Sequence, residues 1–432
     1  MISPAALLPA AVSLVNAYLI VLLGAAARGR RRRSPAAPAG PPRRFAILVP
    51  ARDEETSIGA TLASLRALAY PADHVQTVVL ADNCTDRTAE VARTAGATVW
   101  ARTGGEAGKG AALGWGLERL MRTVPEFDAV VIVDADCAVA PNLLDALAGR
   151  LEDGAQSVQV AYGVSNPGAS PVAALRHASF LLVNGVRPLG KTTLGLSAGL
   201  LGTGMAFRRD LLTRRTWTAR SLAEDQEQHI ALVADGERVV FAPETSVTSP
   251  MPTSLRRSRD QQLRWDAGRA TLVRRWTPNL LRAGLRQRDA VKVHAALEPF
   301  VPPQSLLLAV NACGCLLALR SGPAHRRLAL ANLVGQGGYV LGGLALMRAP
   351  APVWRALAFA PALAAWKLGL LARLAFGRGP TTWVRTVREV QPPAERVSRR
   401  PIRRSWSRRT CARSSGSARG ARRTAASSHP AR

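Results

Sequence analysis

Asp134 and Asp136, one residue apart at the end of the apolar run Asp128–Val133, are the first side chains able to do chemistry. Alternation along a strand end sends both carboxylates the same way. Hard oxygen ligands of this kind suit Mg2+ or Mn2+, which keep waters and bridge to substrate phosphates. The plainer alternative is a loop-start pair that caps the next helix. A second acidic pair, Glu224-Asp225, offers a base, which must reach its proton directly or through one water. It also fits an acidic helix N-terminus stabilised by the helix dipole. In the pentad Gln261-Gln262-Leu263-Arg264-Trp265, Arg264 can fork onto phosphate oxygens and Trp265 presents a ring face to a sugar or a lipid. A basic amphipathic helix snorkelling at a membrane surface is the alternative, and it suffices for Arg256, Arg257, Arg259 and Arg269. Lys109 lies in the glycine-rich stretch Gly104–Gly110, a loop type able to face phosphate.

The elements that must position these groups alternate. Strands are expected over Phe45–Pro50, Val75–Ala81, Thr98–Ala101 and Asp128–Val133. Helices are expected over Ser57–Ala69, Thr85–Ala95 and Ala111–Arg122, with another opening at Pro141. Short apolar strands alternating with amphipathic helices predict an α/β domain with a mostly parallel sheet covered on both faces. In such sheets ligands bind beyond the carboxyl ends of strands, which puts Arg52 to Glu54, Asp82 and Asp134 to Asp136 in one site. The second half is less regular. It suggests a strand over Gln156–Gly163, a helix or interfacial segment over Val172–Val186, a helix from Glu224 and a strand over Arg238–Ala242. A long basic helix carrying the pentad should follow, capped by Thr253.

Apolar length is unevenly spread. Residues 5–27 carry no charge and are long enough to cross about 30 Å of hydrocarbon. No positive segment precedes them, while Arg28 and Arg30 to Arg33 follow, so a transmembrane anchor is expected with the following domain in the cytoplasm. Leu297–Leu319 and Leu328–Met347 are further span candidates. Val353–Phe376 contains Arg355, Lys367 and Arg373 and reads as interfacial. The basic loop Arg320–Arg327 then falls outside, against the usual charge rule. Of the formal charge of +29, twelve arginines and one glutamate fall in residues 391–432, an Arg/Ser/Ala segment with no apolar period, for which disorder is expected. It has the character of a shifted reading frame in GC-rich DNA. No zinc-finger, RNA-recognition or helix-turn-helix pattern accompanies the charge, so nucleic acid is not expected as a partner. Five cysteines without paired spacing provide neither a disulfide framework nor a zinc site.

The order Asp-x-Asp, acidic pair, Gln-x-x-Arg-Trp and then apolar spans resembles the membrane-bound glycosyltransferases of family 2, the group of cellulose, chitin and hyaluronan synthases. The resemblance covers roughly residues 45–390. It implies a GT-A (nucleotide-diphospho-sugar transferase) fold and inverting, hexosyltransferase-type transfer from a UDP- or GDP-sugar with Mg2+ or Mn2+. It places Glu54, Asp82, Lys109, Asp134 and Arg264 on the nucleotide sugar and Asp136 on the metal. Asp225 becomes the catalytic base, and Gly202, Thr203, Gln261 and Trp265 face the acceptor. Two positions depart from the pattern: Ala51 replaces a hydroxyl residue, and Ala223 replaces the threonine before the acidic pair. The expected organisation is an anchor at 1–27, a basic Pro-rich linker at 28–44, a catalytic domain at 45–276, a membrane region at 277–376 and a basic tail at 377–432. Few spans argue against a polymer channel and for transfer of one or a few sugars to a lipid or cell-envelope glycan. A nucleotidyltransferase, or a non-catalytic membrane scaffold derived from this family, remains the alternative.

Overall fold

The computed structural model describes residues 4–31, 40–124, 126–320 and 322–375. The expected tail at 377–432 and residues 32–39 of the linker lie outside the described residues, as do the side chains of Asp260 and Arg264. A long helix α1 (Pro4–Arg31) comes first, and then the alternation: β1 (Phe45–Ala51), α2 (Ile58–Arg66), β2 (Val75–Asp82), α3 (Thr88–Thr94), β3 (Thr98–Arg102), α4 (Lys109–Thr123) and β4 (Ala129–Ile132). After these come β5 (Ala138–Val139), α5 (Leu143–Glu152), β6 (Ser157–Val164), α6 (Pro171–Leu181), α7 (Arg187–Thr193), β7 (Met205–Arg208), α8 (Arg209–Arg214), α9 (Glu224–Ala234) and β8 (Val239–Ser249). The C-terminal helices are α10 (Leu255–Arg275), α11 (Thr277–Gln287), α12 (Ala290–Leu297), α13 (Gln304–Ala318), α14 (Pro323–Leu346), α15 (Ala351–Ala356) and α16 (Ala360–Ala375).

One sheet runs in the order β3-β2-β1-β4-β7-β6-β8-β5. The pairs β1–β2, β2–β3, β1–β4 and β6–β8 are parallel, whereas β7 runs antiparallel between β4 and β6, and β5 antiparallel to β8. Alternate residues of β1 enter opposite cores, as the pleat requires. Phe45, Ile47 and Val49 pack with Ile58 and Leu62 of α2 and Leu143 and Leu147 of α5. Ala46 and Leu48 belong to the other core, with Leu113 and Leu117 of α4, Leu19 of α1 and Tyr339 of α14. The apolar helices are thus continuous with the core under the sheet. Gly190 makes that contact possible, because a Cβ there would lie 2.4 Å from the Leu22 carbonyl oxygen on α1.

Four local expectations are corrected. The helix expected over 172–186 is α6 followed by a wide turn, Leu182–Val186, that feeds α7. The late strand extends to Ser249, because β8 rejoins β6 after skipping Pro243–Thr245, and a proline is tolerated at such an irregularity. Ser254, not Thr253, caps α10, its hydroxyl accepting from the Arg257 N–H. The apolar run from Leu297 is broken: Ala290–Phe300 and Gln304–Ala318 meet at 69° across Pro302 and Pro303, which supply no N–H to continue a helix. Among the described residues two helices, Pro9–Arg31 and Pro323–Leu346, are long and apolar enough to cross a membrane, or three if the bent pair forms one span.

Candidate active site

Three strand ends and two loops build one wall of a cavity of about 1620 Å3. β2 ends at Asp82, which is 4% exposed and whose Oδ1 accepts from Arg102 Nε at 2.7 Å. The two residues are register partners on β2 and β3, so the sheet itself aligns the ion pair. Glu54 follows β1; its Oε2 accepts from the Ser57 hydroxyl at 2.6 Å, and its backbone N–H donates to Thr88 Oγ1 at 2.7 Å. Asp134 and Asp136 follow β4, and both line the cavity.

Lys109, at the first turn of α4, ties the wall together. Its Nζ donates to the Gly202 carbonyl at 2.7 Å and pairs with Asp134 Oδ1 at 2.6 Å and Glu224 Oε1 at 3.4 Å. Burial pulls the Lys109 ammonium down, but Asp134 and then Glu224 outweigh it and push it up, so the charge is held firmly. Asp225, beside Glu224 at the start of α9, is half-buried and lines the cavity. Burial first, and the neighbouring Glu224 second, push its carboxyl up to about 7, against the pull of Lys109. A carboxyl poised there can accept a proton at neutral pH.

The loop 200–204 faces Asp225 closely. Gly202 has φ +85, and a Cβ there would lie 3.5 Å from Lys109 Nζ and 3.6 Å from Asp225 Oδ2. Those are ordinary contact distances, so it is the left-handed backbone that calls for glycine here. Thr203 does not face the cavity: it is fully buried, and its Oγ1 accepts the Asp134 N–H at 3.1 Å. Buried Gln159 on β6 holds the loop, accepting from the Leu201 N–H at 2.9 Å and donating to the Thr203 carbonyl at 2.8 Å. Ala223, just before the acidic pair, is packed by α10. A Cβ on Gly268 would lie 2.8 Å from that of Ala223, so small residues at both positions let the helix seat against the start of α9.

The pentad divides on α10. Gln261 and Trp265 line the cavity, and Gln261 Oε1 has no hydrogen-bond partner among the described residues. Trp265 is 37% exposed, with Arg176 5.4 Å from its ring centroid and Phe180 on another side. Gln262 accepts from Arg176 Nη1 at 2.7 Å, and Leu263 is buried. The Arg264 side chain lies outside the described residues. Sequence reasoning passed over Arg102, Gln159, Arg176, Asp266 and Lys367. Arg102 left a signal as the polar residue ending the strand beside β2, and Lys367 as a charge within an apolar stretch.

Asp134, Asp136 and Cys137 offer ligand atoms within 4.8 Å of one another. Burial pushes the Cys137 thiol well up, so it stays protonated, and the usable donors are two carboxylates. That donor set fits a hard divalent cation and does not fit zinc.

A mixed α/β sheet with paired carboxylates after β4, a cationic side chain at the adjacent helix start and a half-buried acid opposite defines a glycosyltransferase of the GT-A type. The family model described as glycosyltransferase like family 2 matches residues 41–268. The chain belongs to that family, and its reaction is sugar transfer from a nucleotide sugar. Among curated proteins none matches. Among solved structures, a mannosyltransferase from Pyrobaculum calidifontis, in complex with GDP-Man and Mn2+, is 20% identical, with 78% of this chain and 98% of that one covered at a TM-score of 0.48. Residues 1–349 of S. aureus TarS are 15% identical over 76% of this chain and 92% of that one, at a TM-score of 0.41. Glucosyl-3-phosphoglycerate synthase from Mycobacterium tuberculosis, with Mn2+, UDP and glucosyl-3-phosphoglycerate, is 22% identical over 52% and 79%, at a TM-score of 0.34.

Proposed function

We propose that the protein transfers a sugar, with inversion, from a UDP- or GDP-sugar to a lipid or cell-envelope glycan hydroxyl at the cytoplasmic membrane face. The observation that carries this reading is that Asp82, Lys109, Asp134 and Asp225 share one cavity with residues of α13, α14 and α16. Glu54 and Asp82 hold the nucleoside end. Lys109, and Arg264 by its motif, meet the diphosphate. Gly202, Gln261 and Trp265 meet the acceptor, and Thr203 holds the Asp134 backbone beneath it. The acceptor hydroxyl gives its proton to the Asp225 carboxylate as its oxygen bonds to the sugar carbon. The bond from that carbon to the diphosphate breaks on the opposite side, releasing nucleoside diphosphate. A divalent cation on Asp136, with Asp134 beside it, would neutralise the charge that builds on the departing diphosphate.

The membrane assignment rests on α1 and α14, on the arginines that close α1, and on exposed leucines of α13 and α14 such as Leu316, Leu317 and Leu330. In this reading the catalytic unit is 45–276, the anchor 1–27 and the membrane region 277–376. Purified protein with Mn2+ and a panel of UDP- and GDP-sugars tests the proposal. Nucleoside diphosphate should be released, Asp136→Ala should abolish its release, and Asp225→Asn should slow it by about 10²–10⁴-fold. No turnover with any donor would favour a non-catalytic scaffold.

A further inference from the structure

Ligand pockets are commonly about 300–1,000 Å3, so the cavity at about 1620 Å3 holds more than a donor. The surplus lies along α10. Gly268 rests against Ala223 beside the catalytic acids, and the same helix carries Gln262, Asp266 and Arg269 within two turns, roughly 5 Å per turn. Here three cationic side chains from three helices enter the lining: Arg176 of α6, Arg269 of α10 and Lys367 of α16. Lys367 pairs with Asp266, Arg176 donates to the neutral Gln262, and Arg269 Nη1 donates to the Val301 carbonyl at 3.3 Å. Asp266 is the carboxylate these three face, and the next one, Glu298, is already held by Arg187 and Lys191, so positive charge stays in excess; burial pulls both Arg176 and Arg269 down. Enclosing uncompensated charge is costly unless an anion completes the site. Past the cations the lining turns apolar, with Leu308, Leu333, Val340, Leu341 and Leu363. Gln304 stands among them with neither amide atom partnered among the described residues.

Resting on the sugar-transfer reading above, we infer that the acceptor is a phospholipid whose headgroup carries a free hydroxyl. Its phosphate seats among Arg176, Arg269 and Lys367, its hydroxyl reaches Asp225, and its chains lie along the leucines of α13 and α14. The hydroxyl is required because a phosphate-oxygen acceptor is already ionised at neutral pH and has no proton for a base to remove. The transfer balances: O–H breaks to Asp225, O–C forms, and C–O to the diphosphate breaks.

The test uses the full chain in nanodiscs, with Trp265 and Trp366 of the cavity wall as reporters. Brominated phosphatidylglycerol should quench their fluorescence at least fivefold more effectively than brominated phosphatidylcholine. Arg176→Gln, which leaves no orphaned acid, should erase that preference, and Arg176→Lys should keep it. Equal quenching by the two lipids, quenching by neither, or a preference that survives Arg176→Gln overturns the seat. With a donor that turns over, mass spectrometry should find the sugar on phosphatidylglycerol. Equal transfer to diacylglycerol or to glycerol phosphate overturns the acceptor class while leaving glycosyl transfer intact. If no donor turns over, the transfer reading fails and the quenching alone decides the seat.

Discussion

Asp82, Lys109 and Asp134 stand at or just beyond the ends of neighbouring strands or at the start of the helix that follows one, whereas Arg176, Trp265 and Lys367 come from three helices far apart in the chain. The first group is aligned by sheet register: Asp82 opposes Arg102 because β2 and β3 pair there. The second is aligned only by side chains that reach across, Arg176 to Gln262 and Asp266 to Lys367. In the proposed reading the donor wall is therefore a property of the fold, and the acceptor wall a property of how helices settle on it. Substitutions on the two sides should separate donor from acceptor behaviour.

The largest effect is expected where the walls meet. Asp225→Asn should lower the transfer rate by about 10²–10⁴-fold while the donor dissociation constant, measured calorimetrically, holds; a weakened donor would move Asp225 to the donor side. The pH profile sharpens the same point. A base must be deprotonated, so kcat/KM should fall about tenfold per pH unit below about 7, where burial and Glu224 hold Asp225. Glu224→Gln removes one of those two causes and should move that limb to lower pH; an unmoved limb would assign it to another group. Asp82→Asn weakens a charge-assisted contact with Arg102 and should raise donor KM about tenfold or more, with acceptor KM unchanged in steady-state assays. Trp265→Ala should do the reverse, raising acceptor KM roughly fivefold; a donor effect of that size would collapse the division. The smallest change is expected from Thr203→Val, which removes an acceptor from the Asp134 N–H and should cost about 1 kcal/mol, read as a drop of a few degrees in Tm with modest loss of rate.

Much of the proposed donor wall is legible in the sequence. Strand and helix periods are local, and the rule that ligands sit beyond strand ends led directly to Glu54, Asp82 and Asp134. β7 was not legible: Met205–Arg208 is a four-residue strand whose direction is set by β4 and β6 on either side. Thr203 shows the same limit within the site. The family resemblance puts it against the acceptor, but the packing of 200–204 against β6 turns its hydroxyl under Asp134. Ala223, where the motif has threonine, is explained by Gly268 on a helix more than forty residues later.

The sequence by itself determined the alternating elements, the order of the acidic motifs and the family they define, because each is written within a few residues of chain. Only the tertiary structure decided that Glu224 and Asp225 face Lys109 in one cavity, where burial and Glu224 push the Asp225 carboxyl up to about 7. It alone decided that Pro302 and Pro303 turn the apolar run by 69° and that three cations from α6, α10 and α16 share one wall. Burial and charge balance depend on neighbours distant in sequence, and those neighbours exist only once the helices have packed on the sheet.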